Sequence, residues 1–232
     1  MIENLPIYIP IVFGLTTLAT LVLFYIAIKK SVLGHKANII GFGMVVWLII
    51  QMVLSLNLFY IETVGDIPPK FAIVGFLPTF ILIIILFNTT KGKIFIDSLS
   101  LSDLTFLSII RIPVEIVLWW LFLNNAIPQI LTFEGRNFDI LAGITAPIIT
   151  YFGFIKGELN NKVLLGWNVV SLMLLLNIVI NAMLSFPTVF QQFAFDQPNV
   201  GILYFPFFWL PSFIVPVIFF THFVSIRQLL EK

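Results

Sequence analysis

No cysteine occurs among the 232 residues, and only 10% of them are charged. The first absence excludes a disulfide framework, thiol catalysis and a zinc–cysteine site. The second excludes an ordinary soluble domain, in which roughly a quarter of residues are charged. Twelve Lys and Arg against eleven Asp and Glu leave a net charge of +1, so there is no basic surface to hold nucleic-acid phosphates. Histidine is nearly missing as well, with only His35 and His222. No His–Glu pairing, nucleophile elbow, phosphate loop or metalloprotease helix accompanies them. The expectation is therefore no metal site and no cofactor. His222, with Ser225 and Arg227, reads as the interfacial end of a last helix.

What is present is apolar: 60% of the chain is hydrophobic, enough for about seven spans of ~20 residues. Seven such runs occur, at about 5–28, 38–60, 71–89, 104–123, 138–155, 164–186 and 203–226. The first has an acidic start at Glu3, no basic leader and too long an apolar stretch for a cleavable signal, so it reads as a true span. The fold class expected is an all-α membrane protein of seven transmembrane helices in a single transmembrane domain, 1–232. Its surroundings are the lipid bilayer of the inner (plasma) membrane.

Basic residues set the direction. Lys29, Lys30, Lys36, Lys91, Lys93, Lys156, Lys162, Arg227 and Lys232 fall in alternate connections and the tail, whereas the opposite connections hold Lys70 and Arg136. The positive-inside bias then gives an N-out, C-in topology. The outer side carries Glu3, Glu62, Asp66, Glu134, Asp139 and Asp196. A covalent retinal is excluded, because a Schiff base needs a lysine inside a span and every lysine lies in a connection or the tail.

An internal repeat is legible. Lys36, Gly41, Val45-Val46 and Asn57 can be laid on Lys162, Gly166, Val169-Val170 and Asn181, and Leu77-Pro78-Thr79-Phe80-Ile81 on Leu210-Pro211-Ser212-Phe213-Ile214. This predicts a 3+1+3 order, with two parallel three-helix repeats at 1–90 and 138–226 and helix 104–123 as the linker. Chance alignment of apolar segments is the alternative. The architecture resembles that of sugar-efflux and PQ-loop transporters, an analogy of helix order alone.

Arg111-Ile112-Pro113-Val114-Glu115 supplies the only formal charges well inside a span. A charge at bilayer depth costs at least ~2.5–3.5 kcal/mol, so it faces the bundle interior. Spaced four apart, Arg111 and Glu115 share a helical face and can pair directly. Either the pair fixes helix packing, or it is a gate, a proton-coupled site or an anion anchor. Gln51, Asn177 and Asn181 lie at comparable depth; they either bridge helices or line a path beside Glu115. Trp47, Gln51 and Ser55 share one face at helical spacing, as do Asn177, Asn181 and Ser185. The outer loop holds Glu134, Arg136, Asn137 and Asp139, facing Asp196. These residues either bind a cation or polar solute, or Asn137 and Asp139 cap the fifth helix and complement its dipole.

Three stretches carry a resemblance: Ile112-Pro-Val-Glu115, Phe133-Glu-Gly-Arg-Asn-Phe-Asp139 running into Ala142-Gly-Ile-Thr-Ala-Pro147, and Phe195-Asp-Gln-Pro-Asn199. Together they resemble a family of bacterial multi-pass membrane proteins with no assigned activity, over nearly the whole chain. The Pro-Val-Glu step is also similar to the Pro-x-Glu of integral-membrane lycopene cyclases. Those carry a further acidic residue and adjacent aromatic pairs, whereas here Ile116 follows Glu115. The leading functional expectation is a transporter or permease-like protein for a small solute. The alternatives are a membrane-embedded enzyme acting on a lipid or isoprenoid and a non-catalytic membrane subunit or sensor. Whether the chain is an enzyme is left open.

Overall fold

The computed structural model describes Ile2 and Leu5–Glu231; Glu3 and Lys232, assigned above to the outer and inner sides, lie outside the described residues. Among these the chain is all-helical, with no strand. Seven apolar helices organise it: α1 (Tyr8–Lys29), α2 (Gly34–Leu56), α3 (Phe71–Asn88), α4 (Leu101–Leu123), α5 (Ile140–Ile155), α6 (Asn161–Met183) and α7 (Leu210–Leu230). Six are long and apolar enough to cross a membrane, and α5 is the short one. At ~1.5 Å per residue it falls below the ~30 Å of a hydrocarbon core.

Local chemistry fixes several boundaries. Ser100 Oγ accepts from the Asp103 N–H at the start of α4, and Asn160 Oδ1 accepts from the Val163 N–H at the start of α6. Each cap satisfies a donor with no partner inside the helix. Thr89 caps the short helix Thr90–Asp97 in the same way. Leu58, at φ 58°, stops α2 before the expected end at 60. The last helix starts at Leu210 rather than 203, because residues 201–203 form a separate 3-10 turn ahead of Pro206.

Prolines reshape the helices instead of breaking them. Three wide-turn π segments occur, Phe71–Phe76, Tyr151–Ile155 and Leu210–Ile214, beside Pro78, Pro147 and the Pro211–Pro216 pair. A proline has no N–H and pushes away the carbonyl four residues back, so the hydrogen-bond register slips. In α4, Pro113 follows a tightened 3-10 stretch, Ser108–Ile110.

The centre of the bundle is α4 with α7. Of the apolar window of α7, 72% is buried, and of that of α4, 50%, against 17% for α2 and for α3. Helix α4 packs on α1, α5 and α7, and α7 packs on α6, α4 and α3. The π segments of α3 and α7 touch, and Gly75 lets α3 approach the residues just ahead of α7: a Cβ there would run into the Phe208 ring. At one end of the bundle, ion pairs Lys30–Asp103 and Arg227–Asp97, each at 2.9 Å, tie together the end of α1, the start of α4, the short helix Thr90–Asp97 and the end of α7. At the other end Tyr8 meets Trp120 edge-on at 5.0 Å, and the Trp119 indole N–H donates to Glu134.

Candidate functional site

A seam of small residues sets the site. On α5, Ala142, Gly143 and Ala146 lie on one face and are buried. A Cβ on Gly143 would come within 3.0 Å of the Ile112 backbone nitrogen, so α5 lies almost on the backbone of α4. One turn before Ala142–Gly143 is Asp139, and this contact delivers its carboxylate to Arg111: Nη1 to Oδ1 is 3.0 Å, with both side chains buried. The expected direct Arg111–Glu115 ion pair does not form. The guanidinium turns toward α5, α6 and α7 instead. Its Nη1 also reaches the Ser171 carbonyl at 3.3 Å, and its Nη2 lies 2.8 Å from His222 Nε2.

An arginine is only a donor, so His222 Nε2 must accept, and the ring proton sits on Nδ1. That proton is donated to Asn168 Oδ1 at 3.0 Å. The imidazole is thus held as one neutral tautomer. Sequence reading had assigned His222 to an interfacial helix end. It is 1% exposed, inside the bundle.

Glu115, one turn along α4, takes a different partner. Asn137 Nδ2 donates to its Oε2 at 2.6 Å and to the Leu131 carbonyl at 3.0 Å, while Asn137 Oδ1 accepts from the Asp139 N–H at 2.9 Å. Asn137 therefore ties the Glu115 carboxyl to the Asp139 backbone ahead of α5; the sequence had offered it as an outer-loop binding residue or as a cap of α5. The cluster contains one guanidinium and two carboxyls, all 4% exposed or less.

Beside it lies a cavity of about 100 Å³ between α3, α4, α6 and α7. Its walls are apolar, among them Phe71, Phe76, Leu118, Leu175 and Phe186. The polar side chains lining it are Glu115, Asp139 and Asn199. Only one Glu115 oxygen is hydrogen-bonded among the described residues, and the buried Asn199 Oδ1 has no partner. Asn199 Nδ2 is directed away, to the Ala182 carbonyl. The cavity therefore presents acceptors and no free donor. Four further buried hydroxyls without partners, Thr105, Ser108, Thr150 and Ser225, lie on α4, α5 and α7. By helix register they fall between the Arg111 cluster and the end that holds Lys30–Asp103.

The remaining sequence candidates separate from this site. Gln51 belongs to another group: Tyr60 Oη donates to its Oε1 at 2.5 Å, and its Nε2 reaches the Val74 carbonyl at 3.4 Å. Asn177 Nδ2 donates to the Arg136 carbonyl at 2.6 Å, and Asn181 Nδ2 to Asn177 Oδ1 at 3.2 Å; neither amide lines the cavity. The outer-loop set splits. Asn137 and Asp139 are drawn inside, whereas Glu134, Arg136 and Asp196 are exposed. The Arg136 guanidinium lies over the Phe193 ring at 5.5 Å. No cluster of three or more metal-ligating side chains occurs among the described residues.

The family described as Domain of unknown function (DUF8737) matches residues 68–230, which take in α3 to α7, the charged cluster and the cavity. The chain belongs to that family. No curated protein and no solved structure matches it. The family carries no assigned activity, so the chemistry of the cluster is the guide to function.

Proposed function

We propose that the protein is a seven-span, N-out and C-in inner-membrane transporter that exchanges a small organic cation for a proton at Glu115. The observation that carries this reading is the acceptor-only cavity beside a cluster of one cation and two carboxyls. Burying an uncompensated carboxylate is costly, so the charge count closes only with one more positive charge, either a proton or a cation. Two positive charges at once would overfill it. Binding of one therefore excludes the other, which is the condition for exchange.

The apolar walls and the volume set the class of solute. A cavity of about 100 Å³ is smaller than the roughly 150 Å³ cavity that takes benzene, so a cation of few heavy atoms fits. The partnerless hydroxyls Thr105, Ser108 and Ser225 supply polar stations toward the cytoplasmic end for the proton. The π segments of α3 and α7 meet near the cavity wall and are the places where these helices can flex. The two-repeat reading agrees with this use of α3 and α7, which occupy corresponding positions in the 3+1+3 order.

The direct test is uptake of radiolabelled methylguanidinium, a permanently charged donor, into proteoliposomes under an imposed pH gradient. Uptake driven by an outward-acting proton gradient, matched by proton release, supports the reading; no uptake above empty liposomes overturns it. The Phe71 and Phe186 rings, 4.4 Å apart at the cavity, favour a second reading, acid chemistry on an isoprenoid with Glu115 as proton donor. That reading requires conversion of lipid in detergent without any gradient.

A further inference from the structure

A second hollow, about 510 Å³, lies apart from Glu115, between α1, α2, α3 and α7. Its lining includes Phe24, Ile40, Met44, Leu82, Phe213 and Phe220. The polar groups at its wall are already used: the Thr79 hydroxyl donates to the Phe76 carbonyl, and the Trp47 indole N–H to the Ser212 carbonyl. The hollow is therefore dry and holds hydrocarbon, not a polar solute. Its two outer walls, α2 and α3, meet at the Gln51–Val74 hydrogen bond rather than along their length, and Leu82 on α3 is more than half exposed, so the hollow is a groove that opens sideways.

The charge at one end of the groove names its occupant. Leu33 and Phe95 close that end. Lys36 is one turn from the lining residue Ile40, and Lys91 one turn from Phe95, so each stands on the same helical face as a groove residue. Both are exposed. Three other basic residues at this end are paired, Lys30 with Asp103, Lys156 with Glu158, and Arg227 with Asp97 and Glu231. Lys36 and Lys91 form no ion pair among the described residues; Lys29, Lys93 and Lys162 are also exposed and form none, but none of those three is one turn along its own helix from a groove-lining residue. An apolar trough that ends at two free ammonium groups matches one amphiphile, a long chain with an anionic head.

We infer that this groove binds an anionic phospholipid of the inner leaflet, with an acyl chain between α2 and α3 and the headgroup phosphate held by Lys36 and Lys91. The inference rests on the membrane reading above but not on transport. Attraction of about 1 kcal/mol per lysine near an anionic headgroup converts to roughly fivefold in affinity for each.

The test is native mass spectrometry of the delipidated full chain, titrated with phosphatidylglycerol and phosphatidylcholine of identical chains. Expected is a first phosphatidylglycerol adduct that forms well before the phosphatidylcholine one. In the Lys36→Gln/Lys91→Gln protein that preference falls by about 25-fold while phosphatidylcholine binding is unchanged. Gly43 lines the groove, and a Cβ there meets nothing within 4 Å. Gly43→Leu therefore fills the trough without disturbing the fold and abolishes the first adduct with both lysines in place. Equal binding of the two lipids, an unchanged preference in the double variant, or a first adduct surviving Gly43→Leu with an unaltered melting temperature would each overturn the assignment.

Discussion

Two faces of the molecule bury polar side chains, and they use them differently. On α2, Trp47, Gln51 and Ser55 each reach one backbone carbonyl: Ser212, Val74 and Leu203. Two of those carbonyls are the ones that prolines leave without a donor, since Pro216 follows Ser212 by four residues and Pro78 follows Val74 by four. The stripe on α2 is a set of patches for proline-disturbed helices, and its accounts close. On α4 the polar groups meet other side chains, the charges do not cancel, and acceptors are left facing a cavity. Residues of similar burial thus divide by whether their hydrogen bonds and charges are complete. Completeness marks structure, and the remainder marks the site.

Variants can break or sharpen this contrast. The largest effect is expected from Arg111→Met, which leaves two buried carboxyls without their cation. A loss of about 3–5 kcal/mol follows, read as failure to recover monodisperse protein or a large fall in melting temperature in detergent. Next is His222→Phe, which strips an acceptor from the guanidinium at a cost of about 1–3 kcal/mol; His222→Gln, able to accept again, should recover part of the lost thermal stability. Smallest are Trp47→Phe and Gln51→Leu. Trp47→Phe removes one interhelical bond worth about 0.6 kcal/mol on average, and Gln51→Leu removes two, the one to the Val74 carbonyl and the one from the Tyr60 hydroxyl, with methylguanidinium uptake retained in both. If Gln51→Leu stops uptake while the protein stays folded, the division between the two faces is wrong.

Much of the helical layout was legible because length and apolarity are local properties. Six runs expected from the sequence became membrane-length helices, and Arg111 and Glu115 stood out because a charge inside an apolar run needs no partner to be noticed. What the sequence concealed was azimuth and long-range pairing. Gln51 has a depth comparable to that of Glu115, yet it faces Tyr60 and α3. Arg111 finds its partners 28 and 111 positions away, at Asp139 and His222, and nothing in a one-dimensional pattern links them. A clue existed in the small residues Ala142, Gly143 and Ala146, one and two turns after Asp139. They mark a face where another backbone comes close, and hence a carboxylate brought inward from a loop. The central place of α4, expected as a linker between repeats, follows from that same close contact with α5 and from its packing on α1 and α7.

The central claim is that Glu115 carries function, whereas the amides of α2 carry structure. It is tested most directly by proton-driven methylguanidinium uptake into proteoliposomes made with wild type, Glu115→Gln and Gln51→Leu. Glu115→Gln is nearly isosteric and can still accept from Asn137, so it should stay folded and lose uptake to the level of empty liposomes, while Gln51→Leu transports. Uptake intact in folded Glu115→Gln would contradict the claim and return the Arg111 cluster to a packing role.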